Sequence, residues 1–278
     1  MQKVNMVSLG IFSVFIGFLG ALTGLGGASI LIPLLILFGI PVKVAIASSM
    51  ISIIATSAGS ASAYVRDRIT NVKIAMFLEA FTISGAIIGA TITTFIPAVY
   101  LYFFFAAFLL TSFATVKQIT GDYIPEVQQQ DSVSKALGLK GSYYDEARKK
   151  IVEYRATNAI PGGLGMLVAG LAAGMLGIGA GAFKVTVHEV ILKLPTKVSS
   201  TTSNFIIGMT ALAATSVYLF SGLLNITLMA PVAVGTTIGA LLGGRILNRL
   251  NDKIVKILFY IIVVLLIVQM LYKGVTSL

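Results

Sequence analysis

Long apolar blocks constrain the fold of this chain more than any other feature. The stretch Ile254–Tyr272 contains Lys256 and Gln269 as its only charged or amide side chains. About 20 apolar residues are enough to cross a bilayer, and backbone groups in lipid must bond to one another, as they do in helices. The 278 residues are 57% hydrophobic and 11% charged, against about 25% charged in a soluble domain. The sequence therefore predicts an all-α integral membrane protein.

Composition excludes several classes of function. The net charge is +10, but the basic residues lie at the ends of apolar segments, which predicts membrane orientation rather than nucleic-acid binding. The chain has no cysteine and one histidine, and it contains neither a phosphate-binding loop nor a zinc-protease motif. We therefore expect no enzyme activity, no cofactor, no metal and no direct use of ATP. The N-terminus resembles a signal peptide, from Lys3 through an apolar run to Leu22, but its counterpart later in the chain makes it part of the fold.

An internal repeat divides the chain. A shift of 154 positions aligns the two halves without a gap from Pro41 onward. The aligned pairs include Pro41 with Pro195, Lys43 with Lys197, Ser49 with Ser203, Thr56 with Thr210, Tyr64 with Tyr218, and Gly85 with Gly239. After a slip of one residue, Gly24 aligns with Gly177 and Gly26 with Gly179. We predict a first membrane repeat over 1–117, a connector over 118–157 and a second membrane repeat over 158–278.

Each repeat is predicted to contain a glycine-broken helix pair followed by three transmembrane helices. The apolar segments are 5–22, 28–39, 44–64, 73–96 and 98–117, and then 160–176, 181–193, 198–220, 226–247 and 254–272. The second segment of each half has about 13 residues, or ~20 Å of helix, too short to cross ~30 Å of hydrocarbon. The pattern predicts about 8–10 spans and leaves open whether the breaks are re-entrant or lie between full spans.

Charges in equivalent loops predict an inverted topology. Residues 66–73 carry three basic side chains, whereas their counterpart, 220–225, carries none; residues 96–99 carry none, whereas 245–256 are strongly basic. Because Lys and Arg mark the cytoplasmic side, equivalent loops should lie on opposite faces, as in inverted repeats. We expect a multi-pass plasma-membrane protein with both termini extracytoplasmic and a cytoplasmic connector. Residues 138–157 could form a small hairpin, but we favour a solvated linker.

The glycine breaks are the first candidate substrate-binding elements. They contain Gly24, Gly26, Gly27 and Ser29 in the first half, and Gly177, Gly179 and Gly181 in the second. Glycine lets a backbone approach a ligand, and a half-helix that begins after each break directs unpaired N–H groups toward an anion. The alternative is that small residues simply permit close helix packing. For the GxxxG spacings at 85/89 and 235/239/243 we favour packing within the chain over oligomer contacts.

Polar clusters and buried charges supply further candidates. Hydroxyl and amide groups begin the third segment of each half, at Ser48, Ser49, Thr202, Ser203 and Asn204. They could donate hydrogen bonds to an oxyanion or could hold helices together.

Lys184 lies in the second short segment and is a candidate for anion binding. Glu79, His188 and Glu189 are candidates for coupling to a proton or sodium ion, unless they are wetted at the interface. Lys43 and Lys197 lie at opposite mouths, where they attract anions or extend to water.

These residues resemble the sulfite exporter TauE/SafE family, also called the toluene sulfonate uptake permease family. The resemblance rests on Gly24, Gly26, Gly27 and Pro33, on Gly177, Gly179 and Gly181, and on 202–205, 207–211 and 141–146. Ala28 and Ala180 stand where the family has glycine, and Thr186 where proline is usual. The resemblance implies transport of sulfur-containing oxyanions or organosulfonates.

The sequence thus predicts a secondary transporter of a small anion, bound between the two repeats. An anion channel that uses the same N–H groups is the alternative. The substrate, the direction of transport, the coupling ion and the oligomeric state stay open.

Overall fold

A computed structural model of the chain describes residues 6–23, 27–66, 69–118, 129–145, 149–247 and 252–277. The helices of the first half are α1 Met6–Thr23, α2 Gly27–Leu37, α3 Val42–Arg66, α4 Val72–Phe95 and α5 Ala98–Gln118. Those of the second half are α7 Ala159–Leu176, α8 Gly181–Thr186, α9 Thr196–Phe220, α10 Ile226–Leu247 and α11 Asp252–Thr276, with a π-helical segment, Val187–Ile191, directly after α8. Between them lie α6 Ser132–Ala136, β1 Lys140–Asp145 and β2 Lys150–Arg155. The chain is therefore mostly helical.

Three helices of the described chain are long and apolar enough to cross a membrane. They are α4, α7 and α9, while shorter apolar stretches lie within α1, α2, α3, α5, α10 and α11. Because leucine, isoleucine and phenylalanine also cover the outer surface of these helices, their apolar exterior fits lipid rather than water. This is a multi-pass α-helical membrane protein.

Proline, glycine and asparagine set the helix ends. Asn71 caps α4, because its side-chain oxygen accepts a hydrogen bond from the backbone N–H of Ile74 at 3.0 Å. Pro195 precedes α9 in an extended conformation, and Gly177 closes α7 with a φ of +68°. Pro33 lies inside α2, where its missing N–H weakens the helix. The side chain of Gln269 on α11 donates to the Pro33 carbonyl at 2.7 Å.

Two glycine seams join helices from opposite halves. On α4, a Cβ added to Gly85 would lie 2.1 Å from the Leu167 carbonyl oxygen of α7, and one added to Gly170 of α7 would lie 2.1 Å from the Thr82 carbonyl oxygen. On α1, a Cβ at Gly17 would lie 2.3 Å from the Thr236 carbonyl oxygen of α10. Gly239 of α10 is equally close to the α1 backbone. These glycines serve close packing within the chain, as we predicted for the GxxxG spacings.

The connector contains a hairpin that packs on the helices. β1 and β2 pair antiparallel, and the side chains of Tyr143, Val152 and Tyr154 are buried with residues of α4 and α9. Lys197 at the start of α9 forms an ion pair with Asp145 at 2.8 Å. The hairpin is thus the correct alternative, and the favoured interpretation of this stretch as a solvated linker is wrong, because aromatic side chains bury one face of the sheet.

Candidate functional site

In the second glycine break, three of the four residues 177–180 have a left-handed backbone conformation. Gly177, Gly179 and Ala180 have φ of +68°, +73° and +51°, and α8 begins at Gly181. A side chain in this region of φ is strained by roughly 1–2 kcal/mol, which glycine avoids. Ala180 accepts that strain at a position where the family resemblance leads us to expect glycine.

The break lies between α3 of the first half and α9 of the second. A Cβ added to Gly177 would lie 2.8 Å from the Ser49 hydroxyl oxygen of α3. A Cβ added to Gly179 would lie 3.0 Å from Ile207 of α9 and 3.6 Å from Ile53 of α3. Ile53 and Ile207 are equivalent in the repeat alignment. The break therefore sits where equivalent positions of the two halves meet.

Two of the predicted hydroxyl donors are bonded to the break itself. The Ser49 hydroxyl lies 2.7 Å from the Ile46 carbonyl oxygen and 3.0 Å from that of Gly177, and its single proton serves both. The Ser203 hydroxyl donates to the Gly181 carbonyl at 3.3 Å. Both residues thus hold the broken backbone in place, which is the interhelical bonding that we weighed against substrate contact.

Two other serines of α3 carry unused hydroxyls. The side chains of Ser48 and Ser52 are fully buried, and neither hydroxyl oxygen has a hydrogen-bond partner in the described part of the chain. A buried polar group normally finds a partner, so these two donors are candidates for a ligand. Ser52 was missed in the sequence, although its spacing of four residues from Ser48 places both on one face of the helix.

Some of the remaining predicted binding residues are buried or bonded in the helices, and others lie outside the described residues. Thr202 is buried, and its hydroxyl accepts weakly from the Asn71 N–H at 3.4 Å. Asn204 accepts a hydrogen bond from Ser57 through its backbone carbonyl. Ser29 is buried in α2, which begins at Gly27. Gly24 and Gly26 lie outside the described residues.

A buried polar cluster connects α8 to α4 through α9. Lys184 is fully buried and donates to the Thr210 hydroxyl at 3.0 Å. That hydroxyl lies 3.3 Å from one Glu79 carboxylate oxygen, and the second oxygen has no partner among the described residues. Thr210 therefore bridges a lysine of the second half to a glutamate of the first. The sequence had not singled out Thr210, because a hydroxyl gains this role only through its neighbours.

His188 and Glu189 lie in the π-helical segment that follows α8. His188 is completely buried, with Nδ1 3.2 Å from the Ser199 carbonyl oxygen and Nε2 unpartnered within the described ranges. Glu189 is 9% exposed, and one of its carboxylate oxygens also lacks a partner there. Wetting at the interface is thus the wrong interpretation for His188. A π-helical turn often marks a functional site.

The two mouth lysines are engaged by the protein. Lys43 donates to the Thr94 carbonyl at 2.8 Å, and Lys197 pairs with Asp145. Neither cation extends freely toward a substrate.

Together, these features define a multi-pass helical membrane protein with a broken helix and buried ionisable groups at its centre, an arrangement typical of transporters. The sequence profile of the sulfite exporter TauE/SafE family matches residues 9–270. The chain belongs to this family.

Two relatives from Bacillus subtilis (strain 168) are similar along nearly their whole length. The probable membrane transporter protein YunE is 25% identical over 100% of both chains. The probable membrane transporter protein YdhB is 28% identical over 88% of this chain and 90% of its own. No solved structure is significantly similar to this chain. The family and these relatives identify a membrane transporter.

Proposed function

We propose that the protein is a secondary transporter of a small anion of the sulfur oxyanion or organosulfonate class, such as sulfite, sulfoacetate or a taurine-like compound. One observation carries the proposal: the break at Gly177–Gly181 is enclosed by α3 and α9, and both helices carry buried hydroxyl groups. The anion binds between the halves at this break.

The donors suit an oxyanion in a low-dielectric site. Backbone N–H groups that begin α2 and α8 are free of intrahelical partners, and Ser48 and Ser52 add neutral hydroxyl donors. Ser49, Ser203, Thr202 and Asn204 shape this site, and Lys184 lies one turn into α8. Such donors bind an anion without a permanent ion pair that would hold it too tightly to release.

The two halves are inverted repeats in this proposal. The helix contacts support it, because they occur in equivalent sets: α1 packs on α10 as α7 packs on α4, and α2 packs on α3 as α8 packs on α9. The repeat boundaries are 1–117 and 158–278, with about 8–10 spans, a cytoplasmic connector at 118–157 and both termini outside.

Cysteine labelling tests this orientation in a chain that has no native cysteine. Ser142→Cys lies on the hairpin and Ser221→Cys on the turn after α9, and both serines are exposed. An impermeant maleimide added to intact cells should label Ser221→Cys and spare Ser142→Cys until the cells are lysed. Labelling of both from one side contradicts the inverted arrangement.

Ion coupling is assigned to the cluster of Glu79, His188 and Glu189, with a proton or a sodium ion as the coupling ion. Each of the three side chains has a buried nitrogen or oxygen without a partner in the described chain, which supports this role. Lys184 competes with the coupling ion, because its ammonium and a bound cation would stabilise the same Glu79 carboxylate.

Flux into proteoliposomes tests the function. Radiolabelled sulfite, sulfoacetate and taurine are offered with an imposed pH gradient or an imposed sodium gradient. A carrier gives saturable uptake and counterflow, and one of the two gradients drives accumulation. Single-channel current steps with no counterflow support the anion channel instead. If none of the sulfur anions gives any flux, the substrate assignment is wrong.

A further inference from the structure

A polar pocket lies on the connector. It encloses about 480 Å³ and is lined by Gln129, Gln130, Lys135, Gly138, Lys140 and Arg155. Three of these six residues are cationic and none is acidic. The Lys73 ammonium of α4 lies beside the same wall, 3.0 Å from where a Cβ on Gly138 would stand.

Two cations of this pocket occupy positions at which they repel each other. Lys140 and Arg155 are directly opposite each other in the hairpin register, and like charges at such positions destabilise a sheet. Neither of them nor Lys135 forms an ion pair within the described ranges, where Lys197–Asp145 is the ion pair observed.

Two acidic side chains in the described part of the connector are engaged by other groups. Asp131 accepts from the backbone and hydroxyl of Ser134 as the cap of α6, and Asp145 pairs with Lys197. Glu153 lies two residues before Arg155 and on the same face of β2, but it forms no ion pair with Arg155 or Lys140 within the described ranges. The pocket thus keeps unneutralised positive charge in a concave site.

We propose that this pocket binds an oxyanion of the phosphate or sulfate type with at least two negative charges. Arg155 supplies a planar guanidinium that suits two oxygens of such a group, and Lys135 and Lys140 supply point charges. The Gln130 amide donates to the Leu139 and Ala156 carbonyls, at 2.9 and 3.1 Å, and so fixes the wall of the pocket. The oxyanion is either free in solution or the headgroup of an anionic lipid.

The pocket is joined to the membrane helices by a short path. The Asn71 side chain donates to the Lys140 carbonyl at 3.1 Å and to the Tyr154 hydroxyl at 3.0 Å, and the same side chain caps α4. An anion between Lys140 and Arg155 removes their repulsion and holds the hairpin against this cap. Binding should therefore raise the thermal stability of the whole chain.

Thermal unfolding of the purified full chain in detergent tests the site with inorganic phosphate and inorganic sulfate. Both are added at low millimolar concentration against sodium chloride of equal ionic strength. The Tm should rise with phosphate or sulfate and stay constant with chloride. In Lys140→Gln/Arg155→Gln, the phosphate or sulfate concentration needed for the same rise in Tm should increase at least about tenfold, as expected from the loss of two charge-assisted bonds. Lys149→Gln/Lys150→Gln, which removes two positive charges from the same hairpin outside the pocket, should respond as the parent chain does.

Stability without an anion gives a second readout. Lys140→Gln removes a like-charge contact, so its Tm in chloride should equal or exceed that of the parent chain. A lower Tm in chloride, or an unchanged phosphate response in the double variant, overturns the proposal. The absence of any phosphate or sulfate response in the parent chain in detergent and in zwitterionic nanodiscs also overturns it.

Nanodiscs distinguish the two sources of the anion. If the site takes a lipid headgroup, nanodiscs that contain phosphatidic acid should raise the Tm of the parent chain and abolish its response to added phosphate, but leave the double variant unchanged. If the site takes a free anion, the phosphate response should be equal in anionic and zwitterionic nanodiscs.

Discussion

The two short helices occupy equivalent places in the repeat but carry opposite chemistry. Within α2 the side chains of Leu31, Leu35 and Ile36 are buried and apolar. The aligned positions of the second half hold Lys184, His188 and Glu189, which are buried as well. The equivalent short helices therefore carry buried apolar side chains in one half and buried ionisable side chains in the other.

The partners of the charged residues differ between the halves in the same way. Position 79 holds a glutamate that reaches Thr210, whereas its counterpart is Ala233. The equivalent of Thr210 in the first half is Thr56, whose hydroxyl donates to the Ser52 carbonyl at 2.8 Å. Since a buried charge without a partner costs several kcal/mol, these substitutions belong together. The ionisable site therefore depends on Lys184, Thr210 and Glu79 together rather than on any one of them.

The largest effect is expected where this set is broken. Lys184→Met leaves the Glu79 carboxylate buried without its cation, so the free energy of unfolding should fall by about 3–5 kcal/mol and flux should be lost. Leu31→Met, the matched change in the apolar half, should cost less than about 1.5 kcal/mol. Chemical denaturation in detergent measures both.

The double variant Glu79→Gln/Lys184→Met sharpens this test. Removing both charges together should restore most of the lost stability while flux stays absent. Equal destabilisation by Leu31→Met and Lys184→Met would mean that the two short helices are energetically alike, contrary to the comparison.

A smaller effect is expected at the glycine break. Gly179→Ala and Gly222→Ala place a side chain at φ of +73° and +68°, which costs each about 1 kcal/mol. Gly222 has no atom within 4 Å of the added Cβ, whereas Gly179 has Ile207 at 3.0 Å. Gly179→Ala should therefore lower the free energy of unfolding by about 1–3 kcal/mol more than Gly222→Ala does. Gly179→Ala should also reduce flux, whereas Gly222→Ala should leave flux unchanged. Equal stability and normal flux in both variants would show that the crowded break has no special role.

The buried serines of α3 and α9 should separate into two kinds. Ser48→Ala and Ser52→Ala remove hydroxyls that are unpartnered in the described chain, so stability should hold while anion affinity falls by about 0.5–1.5 kcal/mol, or roughly 2- to 10-fold. Ser49→Ala and Ser203→Ala instead break bonds to the carbonyls of the break and should lower stability by about 1 kcal/mol. Calorimetric titration with the substrate measures the affinity. Unchanged affinity in Ser48→Ala/Ser52→Ala contradicts their contact with the anion.

The smallest effect is expected from relieving backbone strain. Ala180→Gly removes the cost of a Cβ at φ of +51° but gives the unfolded chain more freedom. The net gain should be about 0.5–1 kcal/mol, read as a higher Tm. A decrease would indicate that the Ala180 methyl group contributes packing that exceeds the strain.

The sequence could predict the helices but not the partners of their polar groups. Helix ends follow from apolar length and from Pro41, Asn71 and Pro195, all of which are local signals. The bonds from Ser49 to Gly177 and from Lys184 to Thr210 join residues brought together only by the packing of different helices. The π-helical segment after α8 has no distinct local pattern. The burial of His188 was misjudged for the same reason, since position along a helix does not reveal what covers it.

The seam between α1 and α10 also bears on how the protein is made. Gly17 and Gly239 fit against each other's helices, yet the ribosome synthesises α1 well before α10. The glycine face of α1 must therefore wait in the membrane without its partner while the other helices are inserted. During that interval, the glycine face of α1 is open to wrong pairing, quality-control proteases and chaperones.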